Sequence, residues 1–215
     1  FKGRHGSGVA EGRCSYADKS LEPRYDWEKF LYTYRVWGRL IYNPEANPET
    51  WRRPLRQEFQ SAALDVEAAL ANASPILRVV TTAHGVSGAN NSYWPEIYTN
   101  MPIVDERKNR TYGDTPSPRR FGTVSPFDPQ LFSSVEEFAA ELRDGKRSGK
   151  YSPAEVAQWL ESLASAAARH LAKAGRGQKD TGFRRMAVDV TIQSGLGRFF
   201  AWKLRSAALW TLYES

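Results

Sequence analysis

The chain has a single cysteine, Cys14, among 215 residues, so no internal disulfide forms and no cysteine-based zinc cluster is available. Its three histidines, His5, His84 and His170, stand far apart without metal-ligand spacing, and no metal or cofactor is expected. No run approaches the ~20 apolar residues that a membrane span requires, and the opening FKGRHGSGVAEGR lacks the apolar middle of a signal peptide. No internal repeat and no period-2 strand of useful length is found. These absences leave a helical protein with no membrane partner.

What is present is an ordinary globular balance, 41% apolar and 25% charged residues, with a net charge of +6 that suits anionic partners. Apolar residues at Trp27, Phe30, Leu31, Tyr34, Trp37 and Ile41 follow the 3-and-4 spacing of one helix face, and Asn43-Pro44 ends the run. A second start at Asn47-Pro48-Glu49 opens a stripe from Phe59 to Val80 that closes at His84-Gly85. Pro75 interrupts that stripe as a kink or a break, because an interior proline costs ~3 kcal/mol.

Capping boxes at Ser134–Glu137 and Ser152–Glu155 announce two further helices, ending near Gly145 and before Gly175. The last helix spans roughly Gly182 to Tyr213 and is apolar on more than one side, the pattern of a central bundle helix. Gly195 and Gly197 in its interior each cost about 1 kcal/mol relative to alanine and suggest a closely packed neighbour. The expected fold is mainly α, a bundle of about five helices with one long ordered aromatic loop over residues 86–132. Residues 1–23 read as an N-terminal loop left from a preceding domain, and 24–215 as the helical domain.

The stretch AHGVSGANNSYWPEIYTNMP, residues 83–102, joins the end of a helix to rings and amides. Tyr93, Trp94 and Tyr98 offer flat apolar platforms, and Asn90, Asn91 and Glu96 offer directed polar contacts, a combination that suits a sugar. The same rings and amides also serve to hold a loop to its helices. His84 reads either as a core histidine bonded to a backbone carbonyl or as a ligand contact at the helix end. Glu11, in the glycine-rich opening, is either part of a structural turn or a carboxylate facing substrate. A second carboxylate to pair with it across a glycosidic bond is not assigned, and no catalytic residue is named.

Basic clusters at 52–56, at Lys146, Arg147 and Lys150, and at Arg184-Arg185 raise the alternative of a nucleic-acid-binding module. They are scattered, and no recognition motif accompanies them. Nucleic acid is therefore not the expected partner. A third reading is a structural interaction module whose wide apolar last helix covers a partner.

The stretch YDWEKFLYTYRVWGRLIYNPEANPETW, residues 25–51, resembles the segment that follows the catalytic barrel in large bacterial alpha-glucuronidase-like glycoside hydrolases. The shared features are Trp37-Gly38-Arg39-Leu40 and the turn Tyr42-Asn43-Pro44. The resemblance implies a helical accessory domain, inactive alone, that packs on a (β/α)8 catalytic domain and helps to bind an oligo- or polysaccharide, acidic ones included. It also implies a periplasmic or secreted setting and places the principal catalytic carboxylates outside this chain.

Overall fold

The structure, a computed structural model, describes residues 16–84, 102–104, 120–175 and 180–215. The protein is mainly helical, as the periodicity predicts. Its α-helices are α1 (Asp26–Lys29), α2 (Leu31–Tyr42), α3 (Glu49–Phe59), α4 (Ala63–Ala73), α5 (Pro75–Ala83), α6 (Val135–Asp144), α7 (Pro153–Ala174) and α8 (Thr181–Glu214). Extended pairing among the described residues amounts to an isolated parallel bridge between Phe132 and Tyr151.

The helix boundaries follow local chemistry. The Asn47 side chain accepts from the Glu49 amide at 2.9 Å and opens α3. At α6 the capping box is complete: Ser134 Oγ accepts from Glu137 N at 3.0 Å, and Glu137 Oε2 accepts from Ser134 N at 2.9 Å. Gly145, left-handed at φ 66°, ends that helix. Ser152 and Glu155 repeat the box before α7, and Asp180 Oδ2 accepts from Phe183 N at 3.0 Å to start α8. The Ser74-Pro75 interruption is a break, with α4 ending at Ala73 and α5 beginning on the proline.

Two breaks carry no such signal. Phe30, at φ −106° and ψ 11°, separates α1 from α2 where the periodicity reads one helix. Gln60 adopts φ 50°, opening a 3-10 turn that separates α3 from α4 within the long stripe. A non-glycine residue in that region is strained by about 1–3 kcal/mol, which the packing around it must outweigh.

The chain forms two compact units, one from Phe1–Ala71 with Ala167–Ile192, the other from Asn72–Ala166 with Gln193–Ser215. In the first, Leu55, Phe59, Ala63 and Val66 pack with Ala174 and Phe183, and the Phe59 and Phe183 rings meet edge to face at 6.3 Å. In the second, Ile76 and Val80 of α5 pack with Leu160 and Ala164 of α7, Phe200 and Leu204 of α8, and Phe121.

The expected close neighbour exists at Gly197 and is missing at Gly195. A Cβ at Gly197 would lie 3.2 Å from Ile76 Cδ1 and 3.3 Å from the Ala164 Cβ, whereas one at Gly195 would meet nothing within 4 Å. Gly197→Leu is therefore expected to destabilise the protein by about 1–3 kcal/mol through overpacking. Gly195→Ala is expected to stabilise it by up to ~1 kcal/mol through helix propensity. Urea titrations followed by circular dichroism measure both, and equal effects at the two positions would refute the packing assignment.

Candidate functional site

The segment Tyr25–Tyr42 folds as an amphipathic pair of helices whose apolar face is not covered by the rest of its unit. No residue of α2 is buried. Trp27, Phe30, Tyr34, Ile41 and Tyr42 are exposed, and the Trp37 side chain reaches 62%. The opposite side of α2 is held by Tyr32, which packs against the Leu55 and Phe59 cluster. Burial and the neighbouring Glu67 carboxylate push the Tyr32 hydroxyl up to about 12, so it remains a neutral donor.

The rings of this face are arranged among themselves. Tyr25 and Trp27 stack with centroids 6.1 Å apart and planes 9° from parallel, and Phe30 meets Tyr34 edge-on at 6.4 Å. The Arg24 guanidinium lies 5.1 Å from the Tyr25 centroid. Lys29 Nζ sits 3.2 Å from Asp189 and fixes the start of the pair to α8. Gly38 stands among these rings, and a Cβ there would meet nothing within 4 Å. A helix-interior glycine with no packing reason inside its own unit leaves room for an outside surface to approach the backbone.

Rings, arginine and a close-approach position together have the composition of an interface centre, where Trp, Tyr and Arg dominate binding energy. The exposed side chains of this face are mostly aromatic and aliphatic. Among the described residues no group of three His, Cys, Asp or Glu is placed to hold a metal ion. Where two carboxylates do approach one another, at Glu58 and Asp180, the Asp180 group is committed to capping α8. Burial raises the Glu58 carboxyl, with Asp180 adding to it and Arg35 and Arg185 opposing.

His84 has the environment of a core histidine. It is 2% exposed, its ring stacks on Phe121 with centroids 3.6 Å apart, and Nε2 lies 2.5 Å from the Phe121 carbonyl oxygen. The remaining site residues read from the sequence, Glu11, Asn90, Asn91, Tyr93, Trp94, Glu96 and Tyr98, lie outside the described residues. Half of the residues in the basic clusters are engaged in ion pairs. Arg52 pairs with Glu67 at 2.8 Å, Lys150 with Glu137 at 3.1 Å, Arg184 with Asp18 at 2.5 Å, and Arg56 with Glu49. An open cleft of about 650 Å³ lies beside the α6–α7 turn, floored by Phe138, Leu142 and Tyr151. Its Glu141 and Glu155 side chains are occupied by backbone amides of that turn, and its Lys150 by Glu137.

Sequence reasoning finds the α2 periodicity but not its exposure. The available signal is Gly38 inside a ring-rich helix, a residue that the covered face of a helix needs only when a neighbour is close.

The buried imidazole makes stability depend on pH. Burial holds the His84 pKa down at about 4, from an ordinary 6.5, and the nearby Lys203 charge lowers it further against the opposing Phe121 carbonyl. Between those values the unfolded chain binds a proton that the folded chain excludes, so stability falls as pH drops from 6.5 to 4. The loss is on the order of 3 kcal/mol. In His84→Gln this component of the pH slope should vanish, although the variant is less stable at pH 7. Urea titrations across that range check it, and parallel slopes for the two proteins would refute the assignment.

No protein-family model, curated protein or solved structure matches the chain.

Proposed function

We propose that this chain is a helical accessory domain that docks through the aromatic face of α1 and α2, and that its partner is the catalytic barrel of a carbohydrate-active enzyme. The observation that carries the docking is α2 itself, a helix with no buried residue and its ring-bearing face open. Contiguous exposed apolar surface of this kind marks interaction sites in folded proteins. The identity of the partner rests on the resemblance over residues 25–51, the stretch that contains this face.

In this reading the chain supplies binding surface and the barrel supplies the catalytic carboxylates. Asn90, Asn91, Tyr93, Trp94, Glu96 and Tyr98 would border the glycan at the junction, with rings on sugar faces and amides on hydroxyls. The nucleic-acid alternative is disfavoured because Arg52, Arg56, Lys150 and Arg184 are already paired with carboxylates.

The test mixes the chain with a separately produced barrel domain of an alpha-glucuronidase-like hydrolase and follows complex formation by calorimetry. A complex is expected, weakened at least tenfold by Tyr34→Glu with Trp37→Glu, whose exposed positions leave the thermal melt unchanged. An equal affinity in the double variant, or no complex with the wild-type chain, would overturn the docking assignment. Oligosaccharide titration into the complex should show weaker binding in Trp94→Ala, and unchanged binding there would remove the glycan contact from the 83–102 stretch.

A further inference from the structure

The second compact unit carries another uncovered face, on α8. Between Gln193 and Ser215 the inner side of this helix is filled by Gly197, Phe200, Ala201, Leu204, Ala207 and Ala208, all part of or against the unit's core. Phe199, Trp202, Leu209 and Tyr213 point the other way. Phe199 is exposed, and Trp202, Leu209 and Tyr213 reach 65%, 68% and 80%. A helix that ends a chain segment on its own core has no need of four large rings or branched side chains in water.

Their spacing is specific. Gly195, Phe199, Trp202, Ser206, Leu209 and Tyr213 are separated by steps of four, three, four, three and four residues, which is the alternation of a heptad seam. A straight helix presents such a row as one narrow stripe, and the surface that fits it along its length is a second helix. Gly195 belongs to the row and has nothing within 4 Å, so its cost in helix stability is not repaid inside the protein. It opens a gap in the stripe that a facing side chain or backbone fills.

Charge selects the occupant. The edge of the stripe carries Arg198 and Arg205, one heptad apart, and the Arg205 guanidinium also lies 5.7 Å from the Trp202 ring. Arg205 is gripped by Glu161 on its inner side. The carboxylate on this part of α8, Glu214, is engaged by Arg120. Two copies of α8 packed antiparallel, seam to seam, would set arginine against arginine, a like-charge juxtaposition that disfavours self-pairing. A helix edged by carboxylates meets the opposite sign.

We propose that the outward face of α8 from Gly195 to Tyr213 is a docking seam for an amphipathic helix of another protein, one whose heptad positions are apolar and whose flanking positions are acidic. This surface is separate from the aromatic face of α2, and it stands whether or not that face binds a catalytic barrel. The seam supplies the apolar anchors, Arg198 sets the partner's sign, and Gly195 sets the register.

The experiment uses the whole chain and two synthetic four-heptad peptides with leucine at the seam positions, one flanked by glutamate and the other by lysine. At neutral pH the like charges keep each peptide from pairing with itself. The glutamate peptide should bind, at least tenfold tighter than its lysine counterpart, with an affinity that falls as salt is raised. Trp202→Glu should weaken it at least tenfold with an unchanged melt, and Gly195→Leu should weaken it by closing the gap. No binding of the glutamate peptide at 200 µM, a concentration of about 5 kcal/mol on the affinity scale, would overturn the proposal. So would equal binding of both peptides, or affinity unaltered in Trp202→Glu. Sedimentation of the chain alone and flotation with phosphatidylserine vesicles test the other occupants. A dimer, or vesicle binding, that Trp202→Glu abolishes would reassign the seam to a second copy or to a lipid surface.

Discussion

The second compact unit depends on the seating of His84 against Phe121. The two rings lie nearly parallel at 3.6 Å, and the imidazole Nε2 meets the carbonyl oxygen of the residue it stacks on. That carbonyl belongs to a completely buried residue and accepts from Val124 N as well, at 3.4 Å, so the imidazole adds a second contact to it. The same stretch is laced in twice more, by Phe121 N to the Pro102 carbonyl at 2.9 Å and by Phe127 N to the Thr82 carbonyl at 3.0 Å. An irregular segment is thereby made part of a helical core. The Lys203 ammonium, 4.7 Å from the Phe121 centroid, shares this environment, and burial draws its pKa down to about 8. The imidazole beside it must stay neutral, which is why the core tolerates both.

The helix ends were legible in the sequence because each is written in three or four adjacent residues. Ser134 with Glu137, Ser152 with Glu155 and Asn47 before Pro48 act as their residue types predict, and Pro75 starts a new helix without a side-chain cap from Ser74. The breaks at Phe30 and Gln60 were not legible, since neither residue is a glycine or proline and no capping residue type marks the position. Of Gly195 and Gly197 only the second has the neighbour that both suggest, because a glycine's sequence position does not say on which side of the helix it points.

The same limit governs the candidate site. Periodicity marks the apolar stripe of α2 and the extra width of α8, but it does not say whether the surface that covers a stripe lies within the chain. The expectation of a central bundle helix for α8 holds for Phe200 and Leu204 and fails for Phe199 and Trp202, one residue and two residues away, which face outward. His84 lies on an apolar stripe at a helix end, where a core histidine and a ligand contact look alike until the stacking ring is seen. The sugar-facing stretch that follows it, Asn90 to Tyr98, is outside the described residues. Net charge was informative only as a total: +6 describes the chain, while carboxylates paired to Arg52, Arg56, Lys150 and Arg184 decide what its surface presents.

The placement of the indoles has a spectroscopic consequence. Trp27, Trp37 and Trp202 stand in water in the folded protein, whereas Trp51 is buried with its nitrogen bonded to Glu67 at 3.0 Å. Emission from the native state therefore already contains a large long-wavelength component. Covering the outward rings moves the maximum toward the blue, so intrinsic fluorescence of this protein reports what its aromatic faces touch as well as whether it is folded.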